Sequence, residues 1–337
     1  MLTFTNSGIY CPQADIFIDP WRPVKKALIT HGHADHSRWG HEKYLCTHSA
    51  APVIKYRLGD ISLASVEFAE VITINGVTIS FHPAGHIIGS AQIRLEYKGE
   101  VWVVSGDYKI EEDGLTEPFE SIKCHTMITE STFGLPVYKW AAQQEVFDSI
   151  NAWWKANKEQ GKATILTGYA LGKAQRIIQN LDDSIGAIYT HGAIENVNEV
   201  IRSQGIALKP TIRVTNEIKK EDYSGSIIIA TPSGVGSSWV KKFGNASIGS
   251  ASGWMNLRGA RRRRAVDRGF VLSDHADWPG LNTAIQESGA ERVFVTHGYS
   301  NIFSKWLAEK GLEAGVVETQ FEGELSEIGE GTDKEEE

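Results

Sequence analysis

At 337 residues the chain is long enough for two domains or one large one, and 41% hydrophobic with 23% charged residues is the make-up of a soluble globular protein. Three scattered cysteines, Cys11, Cys46 and Cys124, exclude a disulfide framework and a thiolate zinc site; with no membrane-length apolar stretch and no basic-then-apolar leader, a cytoplasmic protein is expected. A net charge of −8 alone would argue against a polyanionic ligand, but nine acids and one lysine between Val316 and Glu337 account for all of it, leaving residues 1–315 neutral.

The first half reads as strands joined by tight turns. Residues 71–74 and 77–81 flank Asn75-Gly76, a strong hairpin signal because both turn positions need positive φ. Residues 93–97 and 101–104 flank Lys98-Gly99-Glu100 in a similar way. From Val137 the character changes. Residues 143–159 have helical spacing, with Val146, Phe147, Ile150, Trp153 and Trp154 on one side and Gly161 at the end. Short apolar runs at 163–166, 187–189 and 226–230 then alternate with helical stretches at 172–181 and 194–203, the rhythm of a parallel α/β sheet. Two further strand-then-helix units follow. The run 270–272 leads to a helix capped near Asp277-Trp278-Pro279, and 292–295 leads to one from about Ser300 to Gly311.

The densest chemical signal is His31-Gly32-His33-Ala34-Asp35-His36, just after the apolar run 26–30. Imidazole and carboxylate are the ligand set of a borderline dication such as zinc, with water completing a catalytic site. In a loop opening into a helix, His31 and His33 can point at one ion while Asp35 and His36 point at a second.

Six more residues share one property: Asp19, His86, Asp107, Glu130, His275 and His297 each sit at or just past the carboxyl end of a predicted strand. Open α/β sheets gather sites at such ends, although an Asp or His there is also commonly a turn former or helix cap. Asp277 is assigned to capping. His41, His48, His82, His125 and His191 are read as surface or core histidines.

Three segments, His31–His36, Gly85-His86-Ile87-Ile88-Gly89-Ser90-Ala91 and Ser105-Gly106-Asp107, resemble the metal-ligand motifs of the metallo-β-lactamase fold in order and spacing. Further on, Thr129-Glu130-Ser131-Thr132-Phe133-Gly134, Ser273-Asp274-His275 and Val295-Thr296-His297-Gly298 resemble the three extra motifs of the β-CASP nucleases, and the stretch from Tyr169 to Gln175 resembles a β-CASP helix start. Within that group the chain is most similar to the bacterial ligase-associated DNA exonucleases, through the stretches 18–23, Ser252-Gly253-Trp254-Met255 and the arginine run from Arg258 to Arg264.

The resemblance implies an αββα sandwich from residues 1–136 and 265–320 and an inserted α/β β-CASP domain at 137–264; it does not cover 321–337, whose acidic composition reads as a disordered tail. It implies two Zn²⁺, or Mn²⁺ in their place. His31, His33 and His86 would hold one ion, Asp35, His36 and His297 the other, and Asp107 would bridge. Asp19 would order the histidine loop from behind, as outer hydrogen bonds do at metal sites. Asp35, Glu130 and His275 would be the catalytic residues, with Glu130 and His275 paired beside the scissile phosphate.

The implied reaction is hydrolysis of nucleic-acid phosphodiesters, leaving a 5′-phosphate and a 3′-hydroxyl, as in DNA repair by an exonuclease. A DNA ligase or helicase would be a partner. Two cues conflict over the substrate. DNA-acting members often carry valine where this chain has His297 and RNA-acting members keep histidine, which leaves an RNA-processing or RNA-degrading ribonuclease as the alternative. Lys173 at a helix start can meet a phosphate, as can Ser252, Arg258 and Arg262, although a solvated lysine and an ion-paired arginine face fit as well. A small-molecule metallo-hydrolase would share the histidine loop without needing the insertion, and a non-catalytic nucleic-acid binder would have lost ligands that this chain keeps.

Overall fold

Short strands with alternating apolar residues, closed by positive-φ turns, build two sheets from the first 139 residues and the last segment of the chain. In the computed structural model, which describes residues 1–257 and 266–321, Met1–Lys139 and the stretch from His275 on form one unit and Trp140–Asp274 a second.

The first unit has a six-stranded sheet in chain order, from Thr3–Thr5 to Leu63–Val66, and a seven-stranded sheet. In the latter, Glu313–Val316, Arg292–Gly298, Thr126–Ser131 and Glu100–Val104 run parallel, and Ala91–Tyr97, Val77–Pro83 and Ile72–Ile74 continue antiparallel. The two sheets share one apolar layer: Ile9, Ile16, Ile18 and Leu28 from the first meet Ile79, Phe81, Ile93, Leu95 and Val104 from the second. Strand neighbours on the opposite faces pack outward against helices, because side chains alternate along a strand. Ala27, Ile29, Tyr44 and Cys46 meet Ile54 of the helix Ala51–Leu58. Val101, Val103, Met127, Val293 and Val295 meet Leu281, Ile285, Phe303 and Leu307 of the helices Trp278–Ser288 and Ser300–Glu309. Each buried Val, Leu, Ile or Phe among them contributes about 1.5–3 kcal/mol. The layer order is αββα.

The second unit is a six-stranded sheet, parallel throughout, in the order Ile212–Arg213, Ile188–Thr190, Ile227–Ala230, Ala163–Thr167, Ala246–Ala251, Arg268–Phe270. Both faces are covered, so its central strands are apolar without alternation. Leu166, Ile227 and Ile229 pack on one side with Phe147, Trp154 and Ile177, and Ile165, Ile228 and Ala230 pack on the other with Tyr223 and Phe243. The helix predicted over 143–159 is observed as Gln143–Glu159.

Three expectations need correcting. Glu100 pairs with Tyr97, so the second hairpin closes on Lys98-Gly99 alone, both at positive φ, not on three residues. The strand expected at 270–272 runs Arg268–Phe270 and pairs with Ala246–Ala251. By contacts the second unit ends at Asp274. Helix Gly192–Arg202 begins at Gly192 because His191 caps it, its side chain accepting from Ala193 N–H. The arginines Arg258 and Arg261 to Arg264, and residues 322–337, lie outside the described residues.

Candidate metal centre

Five loops and strand ends of the first unit deliver the site, and local backbone chemistry explains how. Asp19 follows the strand Ile16–Ile18 in a left-handed conformation, φ 42°. Its buried carboxylate accepts from Thr30 N–H at 2.8 Å, from the Thr30 hydroxyl at 2.5 Å and from His36 Nδ1 at 2.8 Å. Those three bonds tie both ends of the histidine loop to one carboxylate. They also set the His36 tautomer, with the proton on Nδ1 and Nε2 turned inward.

Glycines let the neighbouring loops close on the site. Gly85, before His86, has φ 73°, and a Cβ there would sit 2.1 Å from the Lys109 carbonyl oxygen. Gly106, before Asp107, has φ 56°, and a Cβ would sit 2.8 Å from Thr30. Any side chain at either position would push apart two ligand-bearing loops.

Asp107 is the hub. Its Oδ2 lies 3.5 Å from His31 Nε2 and 3.8 Å from His86 Nε2, and its Oδ1 lies 3.5 Å from His36 Nε2 and 3.1 Å from His297 Nε2. His86 Nε2 and His33 Nδ1 are 3.0 Å apart, and Asp35 Oδ2 is 3.7 Å from His36 Nε2. Ligand atoms of His31, His33, His86 and Asp107 fall within 4.8 Å of one another, as do those of His36, Asp107 and His297. Asp35 stands beside the second group. His41, His48, His82, His125 and His191 join no such group among the described residues.

The residues fit a metal on an observation independent of any likeness. His31 Nε2, His36 Nε2, His297 Nε2 and Asp107 Oδ1 are all buried and have no hydrogen-bond partner. Four such atoms facing one another would be costly in a protein that left them unused. The metal-free electrostatics agree. Burial works against a charged His36, but Asp107, Asp35 and Asp19 outweigh it and push its pKa up to about 10. Burial followed by the neighbouring His36 holds His31 well below the usual range. Burial alone would raise Asp107, yet His36, His297 and His275 keep its carboxyl well below the carboxylate range.

Glu130 and His275 form a third group with Asp107, their ligand atoms also within 4.8 Å of one another. Glu130 accepts from Tyr108 N–H at 2.8 Å and from His275 Nδ1 at 2.8 and 3.0 Å. The His275 ring lies 4.6 Å from that of His86, centroid to centroid. Both carboxylate oxygens are thus engaged, and the imidazole is oriented with Nε2 on the far side from Glu130. Glu130 and His297 are the penultimate residues of their strands, Thr126–Ser131 and Arg292–Gly298, where they were expected just beyond or at the end. Asp277 accepts from Gly280 N–H at 2.9 Å and caps its helix.

The residues singled out for substrate binding sit differently. Lys173 is fully buried in the second unit, 4.0 Å from Asp274 Oδ2 and 5.1 Å over the Tyr169 ring. Ser252 is buried and accepts from Trp254 N–H at 3.3 Å. Arg258 and Arg262 are outside the described residues.

One residue escaped the sequence reading. Phe321, expected at the head of a disordered tail, is 9% exposed and stacks on His36 with centroids 4.2 Å apart. An apolar residue opening an acidic stretch was the only signal available.

No family model matches the chain. Over 318 residues, 93% of its length, it is 30% identical to part of a protein from Opitutus terrae named a probable DNA ligase, and the match takes up 30% of that protein. It is 26% identical over 242 residues to an RNase J-like protein of Methanocaldococcus jannaschii, covering 60% of this chain and 58% of that one. The chain thus spans less than two thirds of the length of either relative. A crystal structure of a protein of unknown function from Enterococcus faecalis matches with a TM-score of 0.59 at 10% identity, over 80% of this chain and 74% of that one, a likeness of fold alone. With αββα layers, a parallel α/β unit interrupting them, and relatives of these kinds, the chain belongs to the β-CASP group of metallo-β-lactamase-fold proteins.

Proposed function

We propose that the protein is a two-zinc nuclease that hydrolyses phosphodiester bonds, with DNA as its substrate. The observation that carries this reading is the convergence of four buried ligand atoms that make no hydrogen bond, on His31, His36, His297 and Asp107. His31, His33 and His86 would hold one ion and Asp35, His36 and His297 the other, with Asp107 between them. Two bound dications would supply a hydroxide nucleophile near neutral pH and offset charge on the phosphate oxygens. Unit 140–274 is read as the β-CASP domain.

The chain's own residues do the rest. Asp19 holds the tautomer that turns His36 Nε2 inward. Glu130, fixed by Tyr108 N–H, orients His275 so that its Nε2 can give a proton to the departing sugar oxygen. Loss of the 3′ oxygen leaves a 5′-phosphate and a 3′-hydroxyl, an end that a ligase can seal. Likeness to a stretch of a chain named a probable DNA ligase supports DNA and a ligase-linked setting such as repair. Likeness to an RNase J-like protein supports RNA as the second reading.

The test is product analysis on end-labelled single- and double-stranded DNA and sequence-matched RNA, with Zn²⁺ or Mn²⁺. Metal-dependent cleavage of DNA to 5′-phosphate products is expected. Cleavage of RNA alone would transfer the reading to RNA, and cleavage of neither would remove it.

A further inference from the structure

Seven ligands and the Glu130–His275 pair leave Phe321 unexplained, since none of that chemistry calls for an apolar ring. The segment that carries it is held at three points. Val317 N–H donates to the Val295 carbonyl at 2.9 Å, two residues before His297. Arg38 Nη2 donates to the Gln320 carbonyl at 2.5 Å, while its Nε donates to the Asp35 carbonyl at 3.1 Å. The Phe321 ring then lies on His36 with 18° between planes. It meets His297 and Trp21 edge to face at centroid distances of 5.7 Å each. A single guanidinium therefore links the backbone of Asp35 to that of the residue before Phe321.

The hydrogen bond from His36 Nδ1 to Asp19 fixes where the imidazole points within its own plane. By itself that bond does not restrict the ring's tilt, and the His31 ring meets His36 at 41° rather than face to face. A flat aromatic face laid on the imidazole removes that freedom, and its burial keeps water from the same side.

We propose that Phe321 is a positioning residue for the His36–His297 half of the site, setting the His36 tilt so that its Nε2 meets His297 Nε2 and Asp107 Oδ1 at one point. This rests on the reading that these residues hold metal. It assigns the start of the acidic C-terminal stretch to the metal centre rather than to a detached tail. Groups that orient a ligand from behind typically tune affinity by 10- to 100-fold.

The test is Co²⁺ titration of metal-free full-length wild type and the variants Phe321→Ala, Phe321→Leu and Phe321→Tyr. It is followed by the visible absorption band and by competition with a chelator, with thermal midpoints of the metal-free proteins measured alongside. In Phe321→Ala one of the two binding steps should weaken by about 10-fold, with the other unchanged. Phe321→Leu, which keeps the burial but not the flat face, should share the defect, and Phe321→Tyr should restore wild-type affinity. If the alanine variant does not fold, the leucine variant carries the test.

Wild-type affinity at both steps in the leucine variant would overturn the inference, as would equal weakening of both steps. A wild-type protein that binds no Co²⁺ would remove the metal reading and this inference with it. That outcome is distinguishable because it appears before any substitution is made.

Discussion

Asp19→Asn separates the order of the histidine loop from the charge of the ligands. Asp19 is 1% exposed and accepts three hydrogen bonds, two from Thr30 and one from His36. Asparagine tolerates the left-handed backbone at this position, and its one oxygen can keep the Thr30 N–H bond. Its amide NH₂ then faces the Thr30 hydroxyl and His36 Nδ1. The hydroxyl can rotate to accept, but the imidazole accommodates an N–H donor only with Nδ1 unprotonated, so the neutral ring would keep its proton on Nε2. That atom is the one 3.5 Å from Asp107, so the ligand face becomes a donor face.

The expected cost in folding free energy is about 1–3 kcal/mol, one mismatched buried pair. Asp19→Ala leaves all three donors unpaired and should cost on the order of 3–6 kcal/mol, with a further ~1 kcal/mol for alanine in a left-handed conformation. Guanidinium unfolding in the presence of chelator reads these values, and zinc competition titration reads the ligand effect. Asp19→Asn should weaken one zinc by roughly 10- to 100-fold while the chain stays folded. Unchanged affinity for both zincs would refute the tautomer argument.

Asp107→Ala removes the carboxylate to which four histidines converge, so at least one metal and the nuclease activity should be lost with the fold retained. Full metal content and wild-type turnover would make Asp107 a turn residue only. His275→Ala should keep both metals and lower the rate on an oligonucleotide by roughly 10²–10⁴-fold, with most of the loss absent on a nitrophenyl phosphodiester, whose leaving group needs no proton. Loss of a metal would make His275 a ligand, and an equal defect on the activated ester would exclude it as the acid. Metal uptake should also depend on pH in a definite direction. Three carboxylates, outweighing burial, hold His36 protonated up to about pH 10 in the metal-free protein. Binding near neutrality must therefore displace that proton, and apparent affinity for the His36-side metal should rise by up to tenfold per pH unit from 6 to 9. A flat profile measured by competition at fixed ionic strength would contradict the charge state assigned to His36.

The residues that the sequence made legible were those whose chemistry is local. Asn75-Gly76 announced its hairpin because few dipeptides tolerate two positive φ angles in a row. His31 to His36 announced a ligand loop because so many imidazoles and a carboxylate have few other uses in six residues. Convergence was less legible: that Glu130 faces His275 across 145 residues was reached only through resemblance, and the 2.8 Å bond is what physically ties them.

Where tertiary pairing decides, the sequence was a weaker guide. The strand expected at 270–272 starts at Arg268 and ends at Phe270, because its register is set by pairing with Ala246–Ala251. Lys173 was readable as an exposed cation at a helix start, whereas its ammonium sits buried near Asp274. Phe321 was hidden for a different reason. Eight of the sixteen residues after it are acids, and a composition rule applied to that stretch absorbed the phenylalanine ring that stacks on His36.

The central claim is that two metals, held by His31, His33, His86, Asp107, Asp35, His36 and His297, make one hydrolytic centre. Zinc titration of the metal-free protein, with cleavage of an end-labelled DNA oligonucleotide followed at each step, tests it most directly. Activity should stay near background through the first equivalent and rise with the second, levelling off at two zinc ions per chain. Activity that is complete at one equivalent, or cleavage that persists in metal-free protein under chelator, would contradict it.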